Sequence, residues 1–250
     1  MSWYREFCPV GPLAPYIECL WTLTSEPPDG SARLDRIYPD GAADIVAAPG
    51  KSAAVHGPAG SFRLVSAGNP TLGMRIRVGA AAALLGVSPT ELQSGPLSAA
   101  MLWGRLGSEL EEQLSTETNP ADCAAILTRA LTRRLANGAR LDHAVLATVE
   151  RVRLSPDVSV RQLASDAGLC ERHLRRRFEN HVGMSIKRYA RIARFQGLLD
   201  AIRRHRRRYG VLSPGWAKLS CDYGYADQAH LIREVRAFAG LTPGELLQSL

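Results

Sequence analysis

The apolar positions of the chain follow two rhythms. Over residues 1–100, short apolar runs are divided by turn-rich stretches such as Ser25-Glu26-Pro27-Pro28-Asp29-Gly30-Ser31 and Ala48-Pro49-Gly50-Lys51. This spacing predicts strands over Tyr16–Leu23, Asp44–Ala47, Ala53–His56, Phe62–Ser66 and Gly73–Val78. Beyond them the steps lengthen to three and four residues. Ala80–Leu85, Leu102–Leu114 and Asp122–Leu135 read as helices, and Gly138-Ala139-Arg140 as a junction. Further on, Tyr189, Ile192, Phe195, Leu199 and Ile202 predict one long helix over about Ser185–Arg204. The expected class is α+β. A small β-rich barrel or sandwich (1–100) leads through a helical connector (101–140) to an all-α domain (141–250).

The all-α part contains an internal repeat. Leu163-Ala164 and Gly168 correspond to Leu219-Ser220 and Gly224. After the glycines the copies run with an offset of 57, pairing Cys170 with Asp227, His173 with His230, Leu174 with Leu231, Arg176 with Arg233, Phe178 with Val235 and Gly183 with Gly240. Each copy has the grammar of a helix-turn-helix: a small residue where helices cross, a glycine for the turn, a capping position, then an i, i+4 apolar pair. Asp227 suits the N-cap, whereas Cys170 suits it poorly. The outward positions of the second helix are Glu171, Arg172, Arg175 and Arg176 in one copy, and Gln228, Ala229, Ile232 and Arg233 in the other. Arg and Gln can hydrogen-bond purine edges in a major groove, and Ile232 can contact a thymine methyl. A connecting helix of about 30 Å would place the two probes close to the ~34 Å repeat of B-DNA. Lys187, Arg188, Arg191 and Arg194 along it would face phosphates, while the run Arg203–Arg208 at its end reads equally as a solvated, frayed segment or as added backbone contact.

Charge supports that division. Residues 155–250 hold 17 Lys and Arg against 9 Asp and Glu, while residues 1–154 hold 14 against 15. The positive excess therefore lies beside the repeat, as a polyanion partner requires. Cys8, Cys19, Cys123, Cys170 and Cys221 are scattered and never spaced as C-x-x-C, which argues against a disulfide framework or a zinc module. No apolar run has the roughly 18 residues of a membrane helix, and Met1-Ser2-Trp3-Tyr4-Arg5-Glu6 lacks a secretory layout. A cytoplasmic, nucleoid-associated protein is expected, with no membrane partner.

From Tyr223 to Arg233 and on to Gly240-Leu241-Thr242-Pro243-Gly244-Glu245, the chain resembles the second-motif signature of the AraC/XylS family of bacterial transcription regulators. Leu163-Ala164, Gly168, Leu174, Arg176, Phe178, Gly183 and Ser185 match its first motif. Cys170, Ser220, Leu231 and Val235 depart from the usual residues. The resemblance covers about 142–250. It implies a seven-helix domain that binds double-stranded DNA in two successive major grooves, with RNA polymerase as a further partner.

The first part resembles the reduced, cupin-like sensor domain found ahead of one subset of that family. The resemblance rests on Leu13–Trp21, Pro39–Ile45, His56-Gly57-Pro58 and Gly73–Ile76. It implies a domain that binds a small effector, dimerises, or both, with 101–140 as the dimerising segment. Trp21, Asp40, Asp44, His56 and Arg75 are the candidate effector residues. Against them stand plainer readings: Asp40-Gly41 as a β-turn, Trp21 and Trp3 as core, and Arg75 with Arg77 on a solvated strand face. No cofactor or metal is implied, because the converging His and carboxylate ligands of a cupin metal site are missing. The alternatives are a purely structural or dimerising N-terminal module, a cupin-type enzyme with a DNA-binding tail, a methyl-accepting repair regulator and a non-specific architectural DNA binder. The enzyme alternatives lack a nucleophile elbow, a phosphate loop, an H-E-x-x-H pair or a cysteine cluster; no catalytic residue is expected.

Overall fold

A computed structural model describes residues 2–25, 34–66, 71–136, 138–210 and 215–250. The first hundred residues form β1 (Ser2–Phe7), β2 (Ile17–Ser25), β3 (Leu34–Ile37), β4 (Ala43–Ala47), β5 (Ala54–His56), β6 (Arg63–Ser66), β7 (Thr71–Ile76) and β8 (Leu97–Ser98). Six of them make one antiparallel sheet in the order β1-β2-β7-β4-β5-β8, and β3 pairs with β6 as a separate ribbon. The five strands expected from the apolar rhythm all form, with bounds shifted by one or two residues. β1 and β3 gave no such signal because charged pairs (Arg5-Glu6, Asp35-Arg36) interrupt their alternation. Residues 26–31 of the turn-rich Ser25–Ser31 stretch, and the Trp3 side chain, lie outside the described residues.

Successive strand side chains point to opposite faces. Ile45 therefore lies opposite Met74, and Ala43 opposite Ile76, on a fully apolar face. Asp44 opposite Arg75 falls on the other face. The apolar face is covered by α1 (Ala81–Leu85), α2 (Ala99–Trp103), α3 (Arg105–Thr116) and α4 (Pro120–Ala136), which bury Leu84, Leu110, Leu114, Leu127 and Leu131 against it. The helix expected over Leu102–Leu114 is broken at Gly104, whose φ of +55° only glycine adopts cheaply.

The remaining helices are α5 (His143–Leu154), α6 (Val160–Asp166), α7 (Glu171–Val182), α8 (Ile186–Tyr209), α9 (Trp216–Asp222), α10 (Gln228–Ala239) and α11 (Pro243–Ser249). α8 has 24 residues, about 36 Å at 1.5 Å each. It exceeds the expected rod by more than a turn, because arginines are good helix formers and the basic run continues the spiral. Leu174, Phe178, Ile192, Phe195, Leu199, Leu231, Val235 and Phe238 form the second core. Tyr38 and Val78 of the β-rich part pack on that same core. The junction near residue 138 is thus a boundary along the chain but not through the packing.

Candidate nucleic-acid interface

The sequence repeat is a repeat of geometry. α7 and α10 have 12 residues each and keep the offset of 57. The turn glycines Gly168 and Gly224 have φ of +64° and +68°. Ala164 and Ser220 are both buried where their helices meet the next. Both copies end in a left-handed glycine, Gly183 or Gly240, followed by a side-chain N-cap from Ser185 or Thr242. Asp227 accepts the His230 amide at 2.6 Å, while Cys170 makes no side-chain cap, in keeping with its chemistry.

Glu171, Arg172, Arg175 and Arg176 of α7 are exposed, as are Gln228, Ala229 and Arg233 of α10; Ile232 is half-buried. Glu171 and Arg175 form an i, i+4 ion pair at 2.9 Å. Such a pair on an exposed helix is weak enough for a better partner to break. Among the described residues, Arg172, Arg176 and Arg233 make no hydrogen bond or ion pair.

The row expected along α8 has other partners for three of its four members. Arg191 makes a two-pronged bond to the buried Glu234 of α10, at 3.0 and 2.7 Å. Arg194 pairs with Asp157, which precedes α6, and lies over the Tyr225 ring. Arg188 donates to the Gly60 carbonyl at 3.0 Å. Only Lys187 keeps an exposed side chain without such a contact among the described residues. Arg191 and Arg194 therefore hold the two helix-turn-helix units together. A signal for the first of these pairs was present in the sequence: Glu234 falls on the core-facing side of α10, where an acid needs a counter-charge.

A third pair fixes the start of the domain. Asp142 caps α5 by accepting the Val145 amide at 3.1 Å. It also receives the Arg177 guanidinium of α7 at 2.8 and 2.7 Å. Burial works to raise the Asp142 pKa, but the Arg177 hydrogen bonds, the Val145 amide and the charges of Arg177 and His181 together hold it below 3.8. A carboxyl with a depressed folded-state pKa stabilises fully above its unfolded value, and the contribution is lost as pH falls through the folded value. Acid unfolding followed by circular dichroism should therefore show a steep loss of stability below about pH 4. Asp142→Asn should be less stable at neutral pH and show a shallower acid slope.

In the β-rich part, the candidate residues lie together on the polar face of the sheet. Arg75 stands opposite Asp44 on one neighbouring strand and Cys19 on the other, and Asp44 stands opposite His56. The Arg75 guanidinium lies 3.4 Å from Asp40, 3.6 Å from Asp44 and 3.8 Å from Glu6. Trp21 is buried and donates its indole N–H to Asp44 at 3.0 Å. A Cβ at Gly73 would sit 2.3 Å from the Trp21 ring, so the glycine is what lets the indole cross the strand. Burial raises the Asp44 pKa against the pull of Arg75 and the Trp21 bond, and burial lowers that of His56. Asp40 also forms the turn, its carboxylate accepting the Ala42 amide at 2.9 Å. No group of three or more His, Cys, Asp or Glu arranged to hold a metal occurs among the described residues.

A family model described as a helix-turn-helix domain matches residues 163–249, over the two units just described. These residues are an AraC-type helix-turn-helix domain. The AraC-type domain is the DNA-binding part of a transcription regulator. A second model, described as a domain of unknown function (DUF6597), matches residues 5–97 and so coincides with the β-rich part. No curated protein matches the chain. Among solved structures, ToxT from Vibrio cholerae is similar with a TM-score of 0.46 and 10% identity, over 99% of this chain and 98% of that one. ToxT from Vibrio cholerae O395 bound to (E)-4-(8-methylnaphthalen-1-yl)but-3-enoic acid gives 0.46 and 9%, over 92% and 97%. Among the described residues, no helix is long and apolar enough to cross a membrane.

Proposed function

We propose that the AraC-type domain reads two successive major grooves on one side of a DNA duplex, under the control of a sensor in residues 1–100. α7 reads one half-site with Glu171, Arg172, Arg175 and Arg176; α10 reads the other with Gln228, Ala229, Ile232 and Arg233. The observation that carries this is a division of labour among the charged residues. Arginines on the outward faces of the repeat are exposed, whereas those between the units are locked in ion pairs that fix the frame. Lys187 and the run Arg203–Arg208 supply phosphate contacts, which position without specifying sequence. The group of the buried Trp21 with the half-buried Asp40, Asp44, His56 and Arg75 is the effector face. α3 and α4, within residues 101–140, are the dimerising segment.

Selection of bound fragments from random DNA by the full chain should yield a two-part operator. Arg175→Ala should then relax the preference at one position of one half-site, with a discrimination loss of about 1–3 kcal/mol. An equal loss on all sequences would mean that Arg175 meets a phosphate. Equal affinity for selected and random DNA at fixed salt would refute sequence-specific reading.

A further inference from the structure

The loop between β5 and β6 touches both reading units. It starts at His56, beside Asp44 on the polar face of the sheet. Gly57 lies against Leu92 of the 3₁₀ turn Pro89–Ser94, close enough that a Cβ would sit 2.6 Å from the leucine side chain. Gly183, which ends α7, packs against Pro58 and Pro89, and its carbonyl accepts the Gln93 side-chain amide at 2.8 Å. Gly60 accepts from Arg188 of α8. At the far end, the Phe62 amide donates to the Phe238 carbonyl at 2.9 Å, and Arg36 of β3 donates to the Ala239 carbonyl at 2.6 Å. The Arg36 guanidinium stacks on the Phe62 ring, which fills the space beside Gly240. Gly183 and Gly240 are the repeat-equivalent C-caps of α7 and α10. The last carbonyls of a helix have no partner within it. Here the Gly183 carbonyl just past α7, and the Phe238 and Ala239 carbonyls that end α10, take donors from the β-rich half, from the strap and the residues at its two ends.

We propose that residues 57–62, with Gln93 at one end and Arg36 at the other, are a positioning element that sets the separation of the two reading helices. A shift at the polar face of the sheet would then reach both helices at once through His56. The contacts lie at the C-terminal ends of α7 and α10 and leave the outward faces open. The strap therefore acts on spacing and not by covering the DNA-reading residues. This inference rests on the groove-reading function proposed above.

The test compares binding of the full chain to its selected operator and to the same operator with one base pair inserted between the half-sites. The preference for native spacing should fall about fivefold in Arg36→Ala and in Gln93→Ala, the worth of one net hydrogen bond. Arg36→Lys keeps a donor for the Ala239 carbonyl and should retain most of the preference. Unchanged preference in both alanine variants overturns the proposal, whatever happens to their melting temperatures; so does a loss in Arg36→Lys equal to that in Arg36→Ala. Amide exchange without DNA gives an independent arm: the Phe62 amide should exchange faster in Arg36→Ala than in Arg36→Lys. Equal exchange would overturn the clamp itself, whereas a wild-type chain that selects no operator would refute only the groove-reading function.

Discussion

Arg191→Ala is expected to lower the unfolding free energy by about 2–3 kcal/mol. The mutation leaves the Glu234 carboxylate, 9% exposed, without its two charge-assisted bonds. Removing one partner of a fully buried pair costs about 3–5 kcal/mol. The Arg191 side chain is 39% exposed, so water entering the vacated space recovers part of that. The loss also reaches function, because the pair ties α10 to α8. Urea unfolding would measure the first effect, and titration of the selected operator the second. The double variant Arg191→Met, Glu234→Leu should regain stability to within about 1 kcal/mol of the wild type, since replacing both charges removes the desolvation cost as well as the attraction. A single-mutant cost below about 1 kcal/mol would show that Glu234 finds another partner or takes up a proton.

Phe195→Ala should be costlier still, at about 3–5 kcal/mol. Phe195 is fully buried at the middle of α8, its ring 5.3 Å from that of Phe238 and 6.0 Å, edge-on, from that of Tyr38. Truncation removes contacts with both the second reading unit and the β-rich half, and neither is free to collapse into the space because Arg191 and Gln196 hold α8 in place. Phe195→Leu, which keeps most of the volume, should cost less than half as much in the same unfolding measurement. Similar losses for the two variants would show that aromatic geometry, rather than volume, is what the position requires.

Much of the C-terminal half was legible in the sequence because its chemistry is local. A turn glycine, a capping residue and an i, i+4 apolar pair each act within a few residues, and duplication states the pattern twice. The outward residues of α7 and α10 followed from the same spacing. What sequence reading missed acts across long separations. Arg191 and Arg194 look like phosphate contacts on a helix drawn alone, and become structural only when Glu234 and Asp157 arrive from elsewhere in the chain. The pairing of Arg177 with Asp142 across 35 residues has no periodic signal. In the β-rich half, the apolar rhythm revealed five strands but not β1 or β3, whose charged pairs interrupt it. Arg36 and Gln93 carried no local mark and Phe62 only that of an expected strand, since what they do is satisfy carbonyls 90 or more residues away.

The seat of Tyr38 beside Phe195 has a consequence for engineering by module exchange. Grafted onto a foreign sensor, residues 141–250 would arrive with a hollow where the tyrosine edge belongs and two glycine termini stripped of their donors. A successful chimaera would have to import a matching aromatic and three amide or guanidinium donors from its new host, or carry residues 34–94 along with the graft.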